Sequence, residues 1–160
     1  MSIEKVRAFF SQRGREKDIL EFDVSSATVE LAAAAVGCES ARIAKTLSFA
    51  AKEGCVLVVC AGDAKIDNPK FKAQFHTKAR MLSPDEVMAF TGHAVGGVCP
   101  FAIENPAVAV YLDRSLHRFT TVYPAAGSSN SAIELTLAEL EEFSGAKGWV
   151  DVCKNWGNEG

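Results

Sequence analysis

The sequence predicts an α+β fold, a single domain in which a mixed, largely antiparallel β-sheet is flanked by helices. Three observations predict it. Segments with apolar residues at helical spacing alternate with short runs rich in β-formers. Two of those runs, Ile43–Ala50 and Cys55–Ala61, are separated only by a tight turn, Lys52-Glu53-Gly54, which makes them an antiparallel hairpin. The 160 residues hold no repeat, heptad or linker, and their number suits one domain. We expect that domain to span residues 1–153, with 154–160 as a frayed tail.

Each element has a local reason. Ile3, Val6, Phe9 and Phe10 give the first helix, over 3–13, its apolar stripe, and Gly14 ends it. Residues 19–23 alternate as a strand. Ser25, Ser26 and Thr28 offer caps for a helix over Val29–Val36, and Gly37 ends it. After the hairpin, Asp67-Asn68-Pro69 opens a helix near 70–76. Ser83-Pro84-Asp85-Glu86 combines a cap, a first-position proline and first-turn acids, starting a helix that ends near Gly92. Gly92 to Pro100 holds three glycines and a proline in nine residues and is irregular. Strands follow at Val108–Asp113, Phe119–Tyr123, Ala132–Leu135 and Trp149–Val152, with a small-residue loop at 125–131 and a helix from Thr136.

Composition excludes several classes. Lys plus Arg total 17 and Asp plus Glu 20, a net charge of −3, with 48% apolar and 23% charged residues. That is the make-up of a globular domain, neither disordered nor collagen-like. Apolar stretches such as Cys55–Ala61 fall far short of the roughly 20 residues of a membrane span. The opening Met1-Ser2-Ile3-Glu4-Lys5 is charged and has no apolar leader core, so we expect no signal peptide. Five scattered cysteines without a CxxC pair read as reduced thiols of a cytoplasmic protein, and not as a zinc site. Lys65, Lys70, Lys72, Lys78 and Arg80 make a modest basic stretch, fit for a phosphate backbone or simply a solvated face.

Five places can carry chemistry. Lys45 shares a strand face with Ile43, Leu47 and Phe49, so its ammonium must snorkel, pair or line a cavity. It reads either as an edge-strand lysine that blocks aggregation or as a fixed cation facing an anion or a developing oxyanion. Gly96-Gly97-Val98-Cys99-Pro100 reads as a tight connection, or as a loop whose N–H groups converge on a carbonyl oxygen. It matches neither the dinucleotide nor the Walker fingerprint. Cys99 with His93 offers a nucleophile and base, against the plainer reading of a packed small residue. Asp113 ends a strand, where it contacts a ligand or caps a turn. The loop around Gly127, Ser128 and Ser129 is either a pocket wall or a hairpin tip.

Taken as a set, Ala44-Lys45-Thr46-Leu47, the stretch Thr91 to Phe101, the strand Val110-Tyr111-Leu112-Asp113 and the Gly127 loop resemble the YbaK/ProX family. Its members are relatives of the editing domain inserted in bacterial prolyl-tRNA synthetases, and the resemblance runs from about Ile3 to Val152. It implies the editing-domain fold and a trans-editing deacylase, which hydrolyses the ester joining a wrong amino acid to the tRNA 3′ adenosine. It implies catalysis without metal or other cofactor, with the strand lysine, Lys45, and a GxxxP loop, Gly96 to Pro100, as the catalytic features. Thr46, Gly97, Val98, Cys99, Asp113, Gly127, Ser128 and Ser129 then border the substrate. The tRNA can contribute a 2′-hydroxyl, so no protein nucleophile is needed.

One departure bears on specificity. Cysteine-type members carry Ser-Gly-Gly-Lys-Arg-Gly where this chain has Ala125-Ala126-Gly127-Ser128-Ser129-Asn130. The expected substrate is therefore a small aminoacyl group, alanyl, seryl, threonyl or cysteinyl, with tRNA(Pro) as the carrier by analogy. The expected partners are the 3′ end of tRNA and prolyl-tRNA synthetase, with no membrane and no metal. Two other readings stand beside this one: a non-catalytic module that binds aminoacyl-tRNA or a synthetase, and a cysteine hydrolase built on Cys99.

Overall fold

The computed structural model describes residues 2–156. The chain opens with helix α1 (Ser2–Ser11) and strand β1 (Ile19–Glu21). Helix α2 (Val29–Val36) follows, its first turn closed by the Thr28 hydroxyl and its end by Gly37 at φ 85°. Next come β2 (Ile43–Ala51), β3 (Gly54–Ala61), the short β4 (Lys65–Ile66), α3 (Asn68–Phe75) and α4 (Pro84–Thr91). The second half holds β5 (Val108–Asp113), β6 (Thr121–Pro124), β7 (Ser131–Ile133), β8 (Leu135–Thr136), α5 (Leu137–Ser144), β9 (Gly148–Val150) and β10 (Cys153–Lys154).

Six strands form the main sheet in the order β8-β6-β2-β3-β5-β9. The expected hairpin β2–β3 is its spine, with Lys45 opposite Cys60 and Phe49 opposite Val56. The sheet is mixed, as expected, with antiparallel pairing predominant. Among the described residues β6 pairs with β2, β5 with β3 and β9 with β5 in parallel, leaving β2–β3 and β6–β8 antiparallel. The short pairs β1–β7 and β4–β10 are antiparallel. Parallel neighbours need crossovers that cover the faces, which is why β3 is buried along its whole length past Gly54. Lys154, expected in the tail, pairs with Lys65, whereas residues 157–160 lie outside the described residues.

Aromatic rings fix the helices to the sheet. Phe10 of α1 meets Phe101 at 5.0 Å and Phe143 of α5 at 5.5 Å between centroids. Phe49 of β2 meets Phe71 of α3 at 4.8 Å, and Phe71 meets Phe75 at 4.7 Å. Among the described residues no helix is long and apolar enough to cross a membrane.

Candidate functional site

The site begins with a gap in the sheet. On the side of β2 away from β3, pairing with β6 covers Ile43 and Ala44. Farther along, Leu82 donates its N–H to the Ser48 carbonyl at 3.1 Å, and Ala50 donates to the Arg80 carbonyl at 2.8 Å. Between Ala44 and Ser48 no segment pairs with this edge among the described residues. Backbone groups of alternate residues point to the same side of an antiparallel strand, so Thr46 turns its N–H and C=O to this opening.

A cavity of about 530 Å³ occupies the gap. Lys45, Thr46, Gly96 and Val98 line it, as do Ser26, Ala27 and Thr28 ahead of α2 and Tyr123 of β6. Its mouth carries Met81 and Val95, exposed to 57% and 62%, where large apolar side chains ordinarily hide. The site thus joins two of the expected motifs, the strand lysine and the first half of the glycine loop.

Lys45 resolves the inconsistency noted in its strand. The side chain does not shield the open stretch of β2 but turns to the turn that follows β3. The Lys45 Nζ donates to the carbonyls of Gly62, at 3.3 Å, and Ala64. Those bonds seat the ammonium beside the cavity.

The glycine loop is rigid for reasons the sequence shows only in part. Gly96 sits at φ 97°, a left-handed geometry that side chains rarely adopt. Gly97 closes a turn by donating to the Ala94 carbonyl at 3.0 Å. A Cβ on Gly97 would lie 2.8 Å from the Ser128 Cα, so only glycine lets the two loops touch. The Gly96 and Val98 N–H groups have no protein acceptor among the described residues, and both residues face the cavity.

Several expected site residues lie elsewhere. Pro100 is buried and lines a separate groove of about 800 Å³ beside Phe9 and Phe143. Gly127, at φ 96°, packs against Val6 and Ile3 of α1. Ser128 Oγ bonds Asn130 Oδ1 at 2.9 Å and Ser131 Oγ at 2.6 Å, and the Ser129 carbonyl accepts from Ser26 N–H at 2.6 Å. These serines brace the loop from behind; Ala125 and Ala132 supply that wall of the cavity. Asp113 is fully buried and structural: its carboxylate accepts from the Ser115 and Val152 N–H groups, each at 2.9 Å.

Cys99 is fully buried, and its burial pushes the thiol up to about 12. Its Sγ does lie 3.5 Å from His93 Nε2. That nitrogen, however, sits 2.8 Å from the Phe101 carbonyl, an acceptor, so it carries the proton and has no lone pair for the thiol. His93 Nδ1 then accepts from the Ser2 hydroxyl. Burial holds the His93 pKa below its ordinary value, which keeps the ring neutral. The pair is a core clamp, and the cysteine-hydrolase reading is overturned. Among the described residues no cluster of His, Cys, Asp or Glu is placed to hold a metal ion.

Sequence reasoning missed Ser26, Met81, Val95 and Tyr123 as cavity residues. A signal existed for Ser26: three hydroxyl residues precede α2, and a helix start uses one, here Thr28.

Residues 24–143 match the family model for the aminoacyl-tRNA editing domain. The uncharacterised protein YwhH of Bacillus subtilis is 57% identical over 157 residues, covering 98% of this chain and 99% of its own. EbsC of Enterococcus faecalis, provisionally named a Cys-tRNA(Pro)/Cys-tRNA(Cys) deacylase, is 31% identical over 68% of this chain and 66% of its own. A crystal structure provisionally described as a trans-editing enzyme for prolyl-tRNA synthetase superposes with a TM-score of 0.85 at 30% identity. It covers 96% of this chain and 97% of that one.

Proposed function

The chain belongs to the aminoacyl-tRNA editing domain family, of the YbaK type, and on that premise we propose that it is a trans-acting deacylase. It hydrolyses the ester of a small, wrongly attached amino acid, with tRNA(Pro) as carrier and prolyl-tRNA synthetase as a partner in the cytoplasm. The observation that carries this reading is the cavity at the open edge of β2, where Lys45 and Thr46 meet Gly96 and Val98.

In this mechanism the aminoacyl ester enters past Met81 and Val95. The N–H groups of Gly96 and Val98 receive the carbonyl oxygen and stabilise the oxyanion as water attacks the ester carbon; the ribose oxygen then leaves, takes up a proton and frees the amino acid. Lys45 supplies fixed positive charge beside the reacting end. Gly97, Ser128 and Ser129 hold the donors in place, and Pro100 stiffens the loop exit. Ammonium and amide groups do the polarising, so the reaction proceeds without a metal and survives a chelator.

A deacylation panel tests this. Purified protein meets tRNA(Pro) charged with alanine, serine, threonine, cysteine or proline, beside a Lys45→Ala control. The expected result is hydrolysis of one or two mischarged species, sparing prolyl-tRNA(Pro) and lost in the variant. Binding of the charged tRNAs without any hydrolysis would instead make the chain a recognition module.

A further inference from the structure

The charge of Lys45 is only as fixed as the turn that holds it. The carbonyls that accept from its Nζ belong to Gly62 and Ala64, in the link between β3 and β4. Links of this kind are mobile unless something ties them down. This one is tied at every residue. Ala64 donates to the Ala61 carbonyl at 2.9 Å, which closes the turn. A Cβ on Gly62 would run into the Ser40 carbonyl, so the chain presses there against the segment that leads into β2. Asp63, between the two carbonyl residues, is gripped by Arg118: Nη1 donates to Oδ2 at 2.9 Å and Nη2 to Oδ1 at 2.6 Å.

Arg118 is braced in turn. Its Nε donates to the Ser115 carbonyl at 3.0 Å, and its guanidinium lies 4.9 Å from the ring centres of Phe119 and Trp156. Ser115 and Arg118 belong to one short helix, Arg114–Arg118. The Ser115 hydroxyl accepts from the N–H of Ala61, the last residue of β3, at 3.1 Å. The buried Asp113 carboxylate, accepting from Ser115 N–H at 2.9 Å, anchors that helix in the core. The helix therefore holds the turn on both flanks, at Ala61 through a hydroxyl and at Asp63 through a guanidinium.

Peptide planes are rigid, so the backbone angles at Asp63 decide how the Gly62 and Ala64 carbonyls point. A two-bond pair fixes geometry as well as charge, and here the side chains are only 24% and 30% exposed. We propose that the Asp63–Arg118 pair positions Lys45: it holds the Gly62–Ala64 turn, and through that turn keeps the ammonium beside the cavity for the reaction. Its effect on rate rests on the deacylase reading; its hold on the ammonium does not.

The test has a spectroscopic part and a kinetic part. An ammonium held by carbonyls exchanges its protons with water slowly enough to give a proton–nitrogen correlation signal, which the Lys45→Ala protein identifies by its loss. In Arg118→Met and in Asp63→Asn that signal should broaden beyond detection. In Arg118→Lys, which keeps a cation for Asp63, it should return. Thermal unfolding curves establish that each variant folds, and the two ends of the pair are independent ways to open it. On tRNA(Pro) charged with alanine, serine, threonine or cysteine, Arg118→Met should lower kcat by about tenfold or more, with KM changed less than about twofold. The same substitution in a Lys45→Ala background should cost nothing further, because it acts through the lysine. A Lys45 signal unchanged in both variants would overturn the proposal whatever the kinetics. An equal loss of rate with and without Lys45 would also overturn it, and make the pair a general support of the fold. If the unsubstituted protein cleaves none of the esters, the deacylase reading falls, and the spectrum alone then supports or overturns the hold on the ammonium.

Discussion

The glycine loop has two ends, and they are built in opposite ways. At its base His93, Cys99, Pro100 and Phe101 are buried, and the polar atoms of His93 are spoken for by Ser2, Thr91 and Phe101. At its tip Gly96 and Val98 face a cavity, and their backbone N–H groups have no protein acceptor among the described residues. Satisfied polar groups build scaffold, and leftover ones mark where a ligand completes the network. The lesson is sharpest for the cysteine–histidine pair. It has the spacing of a catalytic dyad, but both ring nitrogens of His93 are already committed to the fold.

Changes at the tip should act on chemistry, and changes at the base on stability. The largest effect is expected for Lys45→Ala, which should lower kcat/KM for deacylation by about 100- to 1000-fold. Single-turnover rates measure it, and a fall below tenfold would take Lys45 out of the reaction. Gly97→Ala straddles the two ends, because its Cβ would lie 2.8 Å from the Ser128 backbone. It should cost about 1–3 kcal/mol in urea unfolding and also slow turnover by displacing the donors. Unchanged turnover at reduced stability would mean that the two loops move independently.

The base predicts a pH dependence. His93 has a folded-state pKa depressed below 6.5 by burial, so the unfolded chain binds its proton first as pH falls. The stabilisation is full above about pH 6.5 and declines below it, through the lowered folded value. Unfolding curves between neutral and mildly acidic pH should show that loss, with a shallower slope in His93→Asn. The smallest effect is expected for Cys99→Ala, about 1 kcal/mol of stability from a small core cavity, with kcat unchanged. Abolished turnover in a folded Cys99→Ala protein would return the thiol to the mechanism.

What could be read from the sequence is what local chemistry decides. Helices α2 and α4 begin and end where Thr28 and Gly37, and Ser83 and Gly92, say they must, because caps act within one turn. Val108–Asp113 is a strand with the bounds its apolar run gives. The short helix at Arg114–Arg118 escaped notice, although Asp113, flagged as a turn cap or ligand contact, starts it. The parallel pairings and the β4–β10 contact were not legible, since they join segments far apart in the chain. The site divides in the same way. Lys45 stood out because an ammonium on an apolar face is locally inconsistent. Ser26 did not, because its place at the cavity is a property of the folded chain and not of its neighbours in sequence.

The two carbonyls that hold Lys45 have a consequence for timing. A lysine side chain on a surface samples many rotamers, and freezing it when a ligand arrives costs up to about 2 kcal/mol in entropy. The Gly62 and Ala64 carbonyls freeze this one when the β3–β4 turn folds, long before any substrate is present. The entropy is lost once, in the making of the protein, and each later encounter meets a charge already in position. An arginine there would keep the charge and lose the seat, since its planar fork does not fit where a compact ammonium donates to two converging oxygens.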